Sequence, residues 1–181
     1  MAAFDSTAEL SHPVDYRLVV NGFVTLFWAQ SVLDSVMESL SAIGYQLVTL
    51  QAGEWRQAAD LHQDFADALD FPDYYGRNLD ALNDCLRDVA VGDYGLDRNA
   101  TGFVLVLHRF DSFARADPLV AQAALDIFAD RARNAALFGQ RMICLVQSDD
   151  ANLRFTAVGA TPVNWNDAEW RNDSRGGRSG K

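Results

Sequence analysis

Four aspartates, Asp73, Asp80, Asp84 and Asp88, fall within one short stretch, FPDYYGRNLDALNDCLRD, from Phe71 to Asp88. Carboxylates at this density could serve as a general acid and base, hold a divalent ion, or form an anionic surface for a cationic partner. The first use needs two groups facing each other across a substrate, usually with one pKa raised in a dry cleft. Asp80 and Asp84 are four residues apart and project from adjacent turns of one helix face, a poor arrangement for that work. Calcium wants six or more oxygens from an encircling loop, and magnesium recruits substrate phosphates; the stretch offers no such loop, and no metal is expected. The third use fits the composition better. Asp73 and Asn83 stand beside the pair, and Tyr74 and Tyr75 bring rigid rings with hydroxyl groups, the type of side chain that anchors protein interfaces. The solvated side of an acidic helix has the same pattern, at a repulsive cost of a few tenths of a kcal/mol for like charges four apart.

No other constellation in the chain suggests chemistry. His12, His62 and His108 are far apart, and no HExxH, CxxC or GxSxG arrangement accompanies them. Gly92 and Gly95 lack the lysine of a phosphate loop, so no cofactor is expected. Cys85 and Cys144 lie inside apolar patterns and are expected to be reduced and packed.

The whole chain has 181 residues, 49% of them hydrophobic, and a formal net charge of -10. The stretch from Arg171 to Lys181 is basic, so the acidity is concentrated in the first 170 residues. Such a body repels nucleic acid and steers basic partners toward itself. The chain's only lysine is Lys181, so its other basic side chains of fixed charge are arginines suited to paired contacts with carboxylates. The start, MAAFDSTAEL, lacks the basic region of a secretory signal, and no apolar run is long enough to span a membrane. Cytoplasmic residence is the resulting expectation.

The elements that must position the aspartates follow from periodicity. Tyr16 to Trp28 predicts a β-hairpin turning at Asn21-Gly22. Val32, Val36, Leu40 and Ile43 share one face of a following helix that Gly44 can end. Tyr45 to Leu50 is a candidate buried strand, followed by a helix over about Arg56 to Leu69. Pro72 disfavours helical dihedrals at Phe71, and Gly76 permits a reversal, so Phe71 to Arg77 should form an ordered loop. Asn78 can cap a helix with Asp80 in its first turn and Leu79, Leu82, Leu86 and Val89 inward. Further on come a strand from Phe103 to His108, a short helical turn before Pro118, and a long helix from Leu119 to Leu137. The strand from Arg141 to Gln147 is expected to turn at Asp149 to Asn152 into an antiparallel edge, LRFTAV. Trp165 and Trp170 should dock on the domain. The order of strands and helices predicts an α/β fold with parallel central strands and helical crossovers.

YYGRNLDALNDCL, Tyr74 to Leu86, resembles the signature of the barstar family, intracellular protein inhibitors of secreted bacterial ribonucleases. A looser resemblance runs from about Tyr45 to Gln147. It implies a barstar-like small parallel sheet whose second helix and preceding loop plug the cationic active site of a ribonuclease. By position, Tyr74 and Gly76 belong to the implied contact loop, Asp80 to the helix start, and Asp84 to the central anion. Asp130 falls where the family has a contacting glutamate. Asn134 stands at a second acidic position without a charge, and Asn83 at a place where a family member has tryptophan.

The resulting expectation is a single barstar-like domain over residues 1–170, with N-terminal hairpin and helix and a C-terminal antiparallel edge strand, followed by a disordered basic tail over 171–181. Its function is expected to be occlusion of a ribonuclease or ribonuclease toxin, without cofactor, nucleic acid or membrane; the added elements could also join two copies. The rival expectations are an acidic interaction module without inhibitory activity and a carboxylate-dependent hydrolase.

Overall fold

A computed structural model describes residues 12–20 and 22–171. The β-branched and leucine-rich segments form five parallel strands in the order β2-β3-β4-β1-β5: β1 (Val24–Phe27), β2 (Tyr45–Leu50), β3 (Gly102–Leu107), β4 (Met142–Gln147) and β5 (Asn164–Trp165). Six α-helices accompany them among the described residues: α1 (Val14–Val19), α2 (Gln30–Ala42), α3 (Ala58–Ala68), α4 (Leu79–Ala90), α5 (Phe110–Ala116) and α6 (Pro118–Ala136). The expected α/β class, with parallel strands and helical crossovers, is the architecture observed.

Alternation along the strands distributes the core between two faces, because successive side chains point opposite ways. Phe103, Leu105, Leu107, Met142, Cys144 and Val146 pack with residues of α3, α4, α5 and α6. Val104, Val106, Ile143 and Leu145 point to the other side, where Leu18 of α1 and Leu33 and Leu40 of α2 meet them. Both cysteines are buried and free; burial pushes their thiols up.

The expected hairpin does not form. Pro13 precedes helix α1, and Asp15 lies in its first turn. Leu18 is buried on the second sheet face with Val14 and Val19 packed against that cluster. This burial outweighs the strand propensity of the valines, and only the second half of the predicted hairpin is a strand. Gly22 still has a positive φ of 132°, whereas Asn21 lies outside the described residues.

The C-terminal edge is corrected too. Residues 153–158 form no strand, and their neighbourhood contains only an isolated antiparallel bridge between Val158 and Thr161. The place beside β4 is filled by β1, in parallel register from Val24 opposite Cys144 to Phe27 opposite Gln147. The outer position is taken by β5, parallel to β1. Leu153 and Phe155 pack on the core as a loop instead.

The front and back of the chain meet at this edge. The Glu169 side chain is buried, and its Oε1 accepts the backbone N–H groups of Trp28 at 3.0 Å and Ala29 at 2.8 Å. Arg17 pairs with Asp167. Trp165 packs against the main cluster. The expectation for the Trp170 side chain lies outside what is described, as do residues 172–181 of the basic tail.

Candidate functional site: a loop and two helices with outward carboxylates

The loop from Phe71 to Arg77 is held from both ends and from beneath. Phe71 N–H donates to the Ala66 carbonyl at 3.0 Å, and Tyr75 N–H to the Pro72 carbonyl at 2.8 Å. Tyr75 is only 8% exposed. Its ring stands edge-on to Phe71, with centroids 4.8 Å apart, and its hydroxyl lies 2.6 Å from Nδ1 of His62 in α3. Burial, then the positive charge of Arg77, hold the His62 imidazole below its usual range. Burial likewise pushes the Tyr75 phenol up. Both groups are therefore neutral near pH 7, as buried hydrogen-bonded partners should be.

With Tyr75 fixed inward, Tyr74 turns outward and is 82% exposed. The two tyrosines are therefore not equivalent: Tyr74 offers a ring to solvent, and Tyr75 supports the loop from below. Gly76 also plays a different local part from the expected reversal. The positive φ angles here belong to Arg77 (47°) and Asp70 (52°). At Gly76 a Cβ would come within 3.1 Å of Nδ2 of Asn78, so the missing side chain leaves room for the cap. Asn78 Oδ1 accepts the Ala81 N–H at 2.8 Å, while its Nδ2 donates to the Gly76 carbonyl at 3.3 Å.

The cap starts α4, whose Leu82, Cys85, Leu86 and Val89 are buried. That spacing turns Asp80 and Asp84 to solvent, with Asn83 half-buried between the two faces. Asp73, in the preceding loop, is exposed as well. The side chain of Asp84 is 62% exposed and accepts from Arg87 at 3.4 Å, and Arg87 also reaches Asp88 at 3.2 Å. Arg87 is itself solvated and on the same helix, so the Asp84 carboxylate is shared rather than withdrawn into the interior.

Helix α6 packs beside α4. It carries Asp130, 55% exposed and paired with Arg133 at 3.2 Å and Arg131 at 3.6 Å, and then the exposed Asn134. Asp80, Asp84 and Asp130 thus stand on outward helix faces. Among the described residues no group of three or more His, Cys, Asp or Glu side chains could hold a metal ion, and no helix is long and apolar enough to cross a membrane.

Residue types alone did not reveal His62 as a support for the loop. The signal was its spacing: His62 and Phe65 on the inward face of α3 and Leu69 just past its end repeat at helical intervals, and all are buried. Nor did they reveal that Arg87 already engages Asp84.

A profile of the family described as Barstar (barnase inhibitor) matches residues 45–147, more than half of the chain. The chain belongs to the barstar family. A curated Bacillus subtilis (strain 168) protein named "Putative ribonuclease inhibitor YrdF" is 81% identical over 26 residues, covering 14% of this chain and 29% of that protein. The match thus spans under a third of that relative's length. The barstar-family segment contains β2 to β4 and α3 to α6, hence every candidate contact residue. The elements α1, β1, α2 and β5 lie outside it.

Proposed function

We propose that this chain binds a basic ribonuclease or ribonuclease toxin and blocks its active site with the Tyr74 loop and α4. The observation that carries this reading is the pair of solvent-facing carboxylates, Asp80 and Asp84, beside the exposed Tyr74 ring, within a segment of the barstar family. A ribonuclease active site must hold phosphate, so its cations can accept a fixed aspartate in the same place. Asp84 is the proposed central anion, with Asp80, Tyr74 and Gly76 around it. Asp73 and Asn83 line the margin, and Asp130 and Asn134 meet the partner from α6. Tyr75 contributes by holding the loop. No catalytic step belongs to this chain: it works by exclusion, in the cytoplasm, without cofactor, nucleic acid or membrane.

The test is RNA cleavage by a panel of basic bacterial ribonucleases, barnase among them, with increasing amounts of the purified protein. Stoichiometric inhibition of at least one enzyme is expected. Asp84→Ala should weaken it by about 2–5 kcal/mol, the usual effect of stripping one partner from a buried charge pair. Binding without loss of cleavage would instead make the chain an acidic interaction module. Inhibition by Asp84→Ala equal to that of the wild type would remove the assigned centre.

A further inference from the structure

We propose that the surface meeting the ribonuclease extends beyond the carboxylates to an apolar edge formed by Val91, Leu137 and Phe138, and that the partner carries an apolar recess beside its cationic pocket. This inference rests on the function proposed above.

The arrangement follows from register. Val91 comes seven residues after Asp84, and Leu137 seven residues after Asp130. Seven residues make nearly two helical turns, so each apolar side chain continues the stripe of its aspartate about 10 Å along the axis. The backbone supports that continuation. Leu137 (φ -63°, ψ -22°) ends its helix still in the right-handed helical region, and Val91 (φ -92°, ψ 0°) leaves it only by a rotation in ψ into the neighbouring bridge region. Helix α4 leads into β3 and α6 into β4, and those strands are parallel, so both stripes emerge at the same end of the molecule. Val91 there shares the wall of one recess with Asp97, Arg98, Gln140, Arg141 and Met142, and Gln140 follows Phe138 by two residues.

The three side chains are 58%, 78% and 82% exposed. Isolated apolar residues on a surface need no explanation, but these occupy one end of the two helices that carry the acidic groups. Along α6 the outward stripe passes from charged Asp130, through neutral Asn134, to apolar Leu137.

Charge decides the occupant. Packing this edge against a second copy would bring the Asp84 and Asp130 belts of two acidic chains toward each other. Three side chains also fall short of the roughly 800 Å² per partner that a stable dimer contact usually buries. A cationic protein gains from the acidic belt and the apolar edge together, the combination of a desolvated anchor and a charged neighbour found in tight interfaces.

The test uses the enzyme inhibited most strongly in the ribonuclease panel and measures inhibition constants from low to high salt. The variants are Asp84→Ala and a triple variant combining Val91→Ser, Leu137→Ser and Phe138→Ser. Thermal melting verifies folding, and Phe138→Ser alone serves if the triple variant melts early. The triple variant is expected to lose about tenfold or more in affinity at every salt concentration with an unchanged salt slope. Asp84→Ala should flatten the slope. Wild-type inhibition by the folded triple variant overturns the apolar extension and leaves the ribonuclease reading standing. If the wild type inhibits no enzyme in the panel, that reading falls and this inference with it. Wild-type self-association abolished by the triple variant, with inhibition unchanged, assigns the edge to a second copy and overturns the proposal.

Discussion

The two faces of the sheet are built to different ends. Beneath α1 and α2, one face is closed by Leu18, Leu33 and Leu40 against Val104, Val106, Ile143 and Leu145, all buried. Across the sheet, α3 to α6 bury their inner sides just as thoroughly, yet α4 and α6 turn aspartates, an asparagine and apolar tips outward. The first face lies largely on elements outside the family match; the second contains the whole candidate site. Stability and recognition should therefore separate by location, and substitutions can break that separation.

The largest stability effect is expected at Leu40, which is fully buried in α2. Leu40→Ala removes buried methyl groups and leaves a cavity, a change that costs about 2–5 kcal/mol. Denaturant unfolding should shift accordingly, while the inhibition constant of the remaining folded protein stays at its wild-type value. A parallel loss of affinity would show that the two faces are coupled through the sheet. Glu169→Ala comes next. It strips the acceptor from the Trp28 and Ala29 N–H groups, at a cost of about 1–3 kcal/mol when such groups are left unpaired in the interior. The same measurement applies, and unchanged stability would mean that water replaces the carboxylate.

The loop supplies a test between the two regions, because its support is buried and its tip is exposed. His62 has its imidazole pKa lowered from 6.5, first by burial and then by Arg77. Since the unfolded chain takes up the proton at the higher pKa, stability is full above pH 6.5 and declines as pH falls from there toward the lower folded value. The slope from one histidine is at most about 1.4 kcal/mol per pH unit. Burial also lowers the pKa of His108, which contributes with the same sign. His62→Gln should reduce the slope without abolishing it, as measured by urea unfolding across this range. An identical slope would exclude His62 as its source.

What the sequence made legible divides along similar lines. Helix α4 was readable because Asn78, Asp80 and the spacing of Leu82, Leu86 and Val89 all favour the same local state, and tertiary structure had nothing to override. The strands around Val104 and Ile143 were readable for the same reason. The hairpin was misread because Val19 and Val20 favour extended structure locally, whereas α1 is held by the distant cluster around Leu18. The expected antiparallel edge failed because occupation of the place beside β4 is decided by β1, more than a hundred residues earlier in the chain. At the site, residue types indicated which carboxylates face water, since that follows from helical spacing alone. The difference between Tyr74 and Tyr75 depends on His62 across a turn of chain, and adjacent identical residues carry no local sign of it.

The smallest expected effect concerns Arg87, whose guanidinium lies between Asp84 and Asp88 on a solvated face. Exposed pairs of this kind contribute about 0–1 kcal/mol, so Arg87→Gln should leave unfolding within about 0.5 kcal/mol of wild type. Binding should respond in the opposite direction. A ribonuclease cation that engages Asp84 must displace Arg87 or approach alongside a like charge, and glutamine removes that competition. Association with the inhibited ribonuclease is therefore expected to accelerate a few-fold at low ionic strength, with the gain vanishing at high salt as screening shortens the reach of the extra negative charge. Stopped-flow association over a salt series measures both limits. If Arg87→Gln instead slows association or speeds release, Arg87 is part of the contact surface, holding Asp84 in position or reaching the partner itself, and the outward face of α4 recognises its target through both signs of charge.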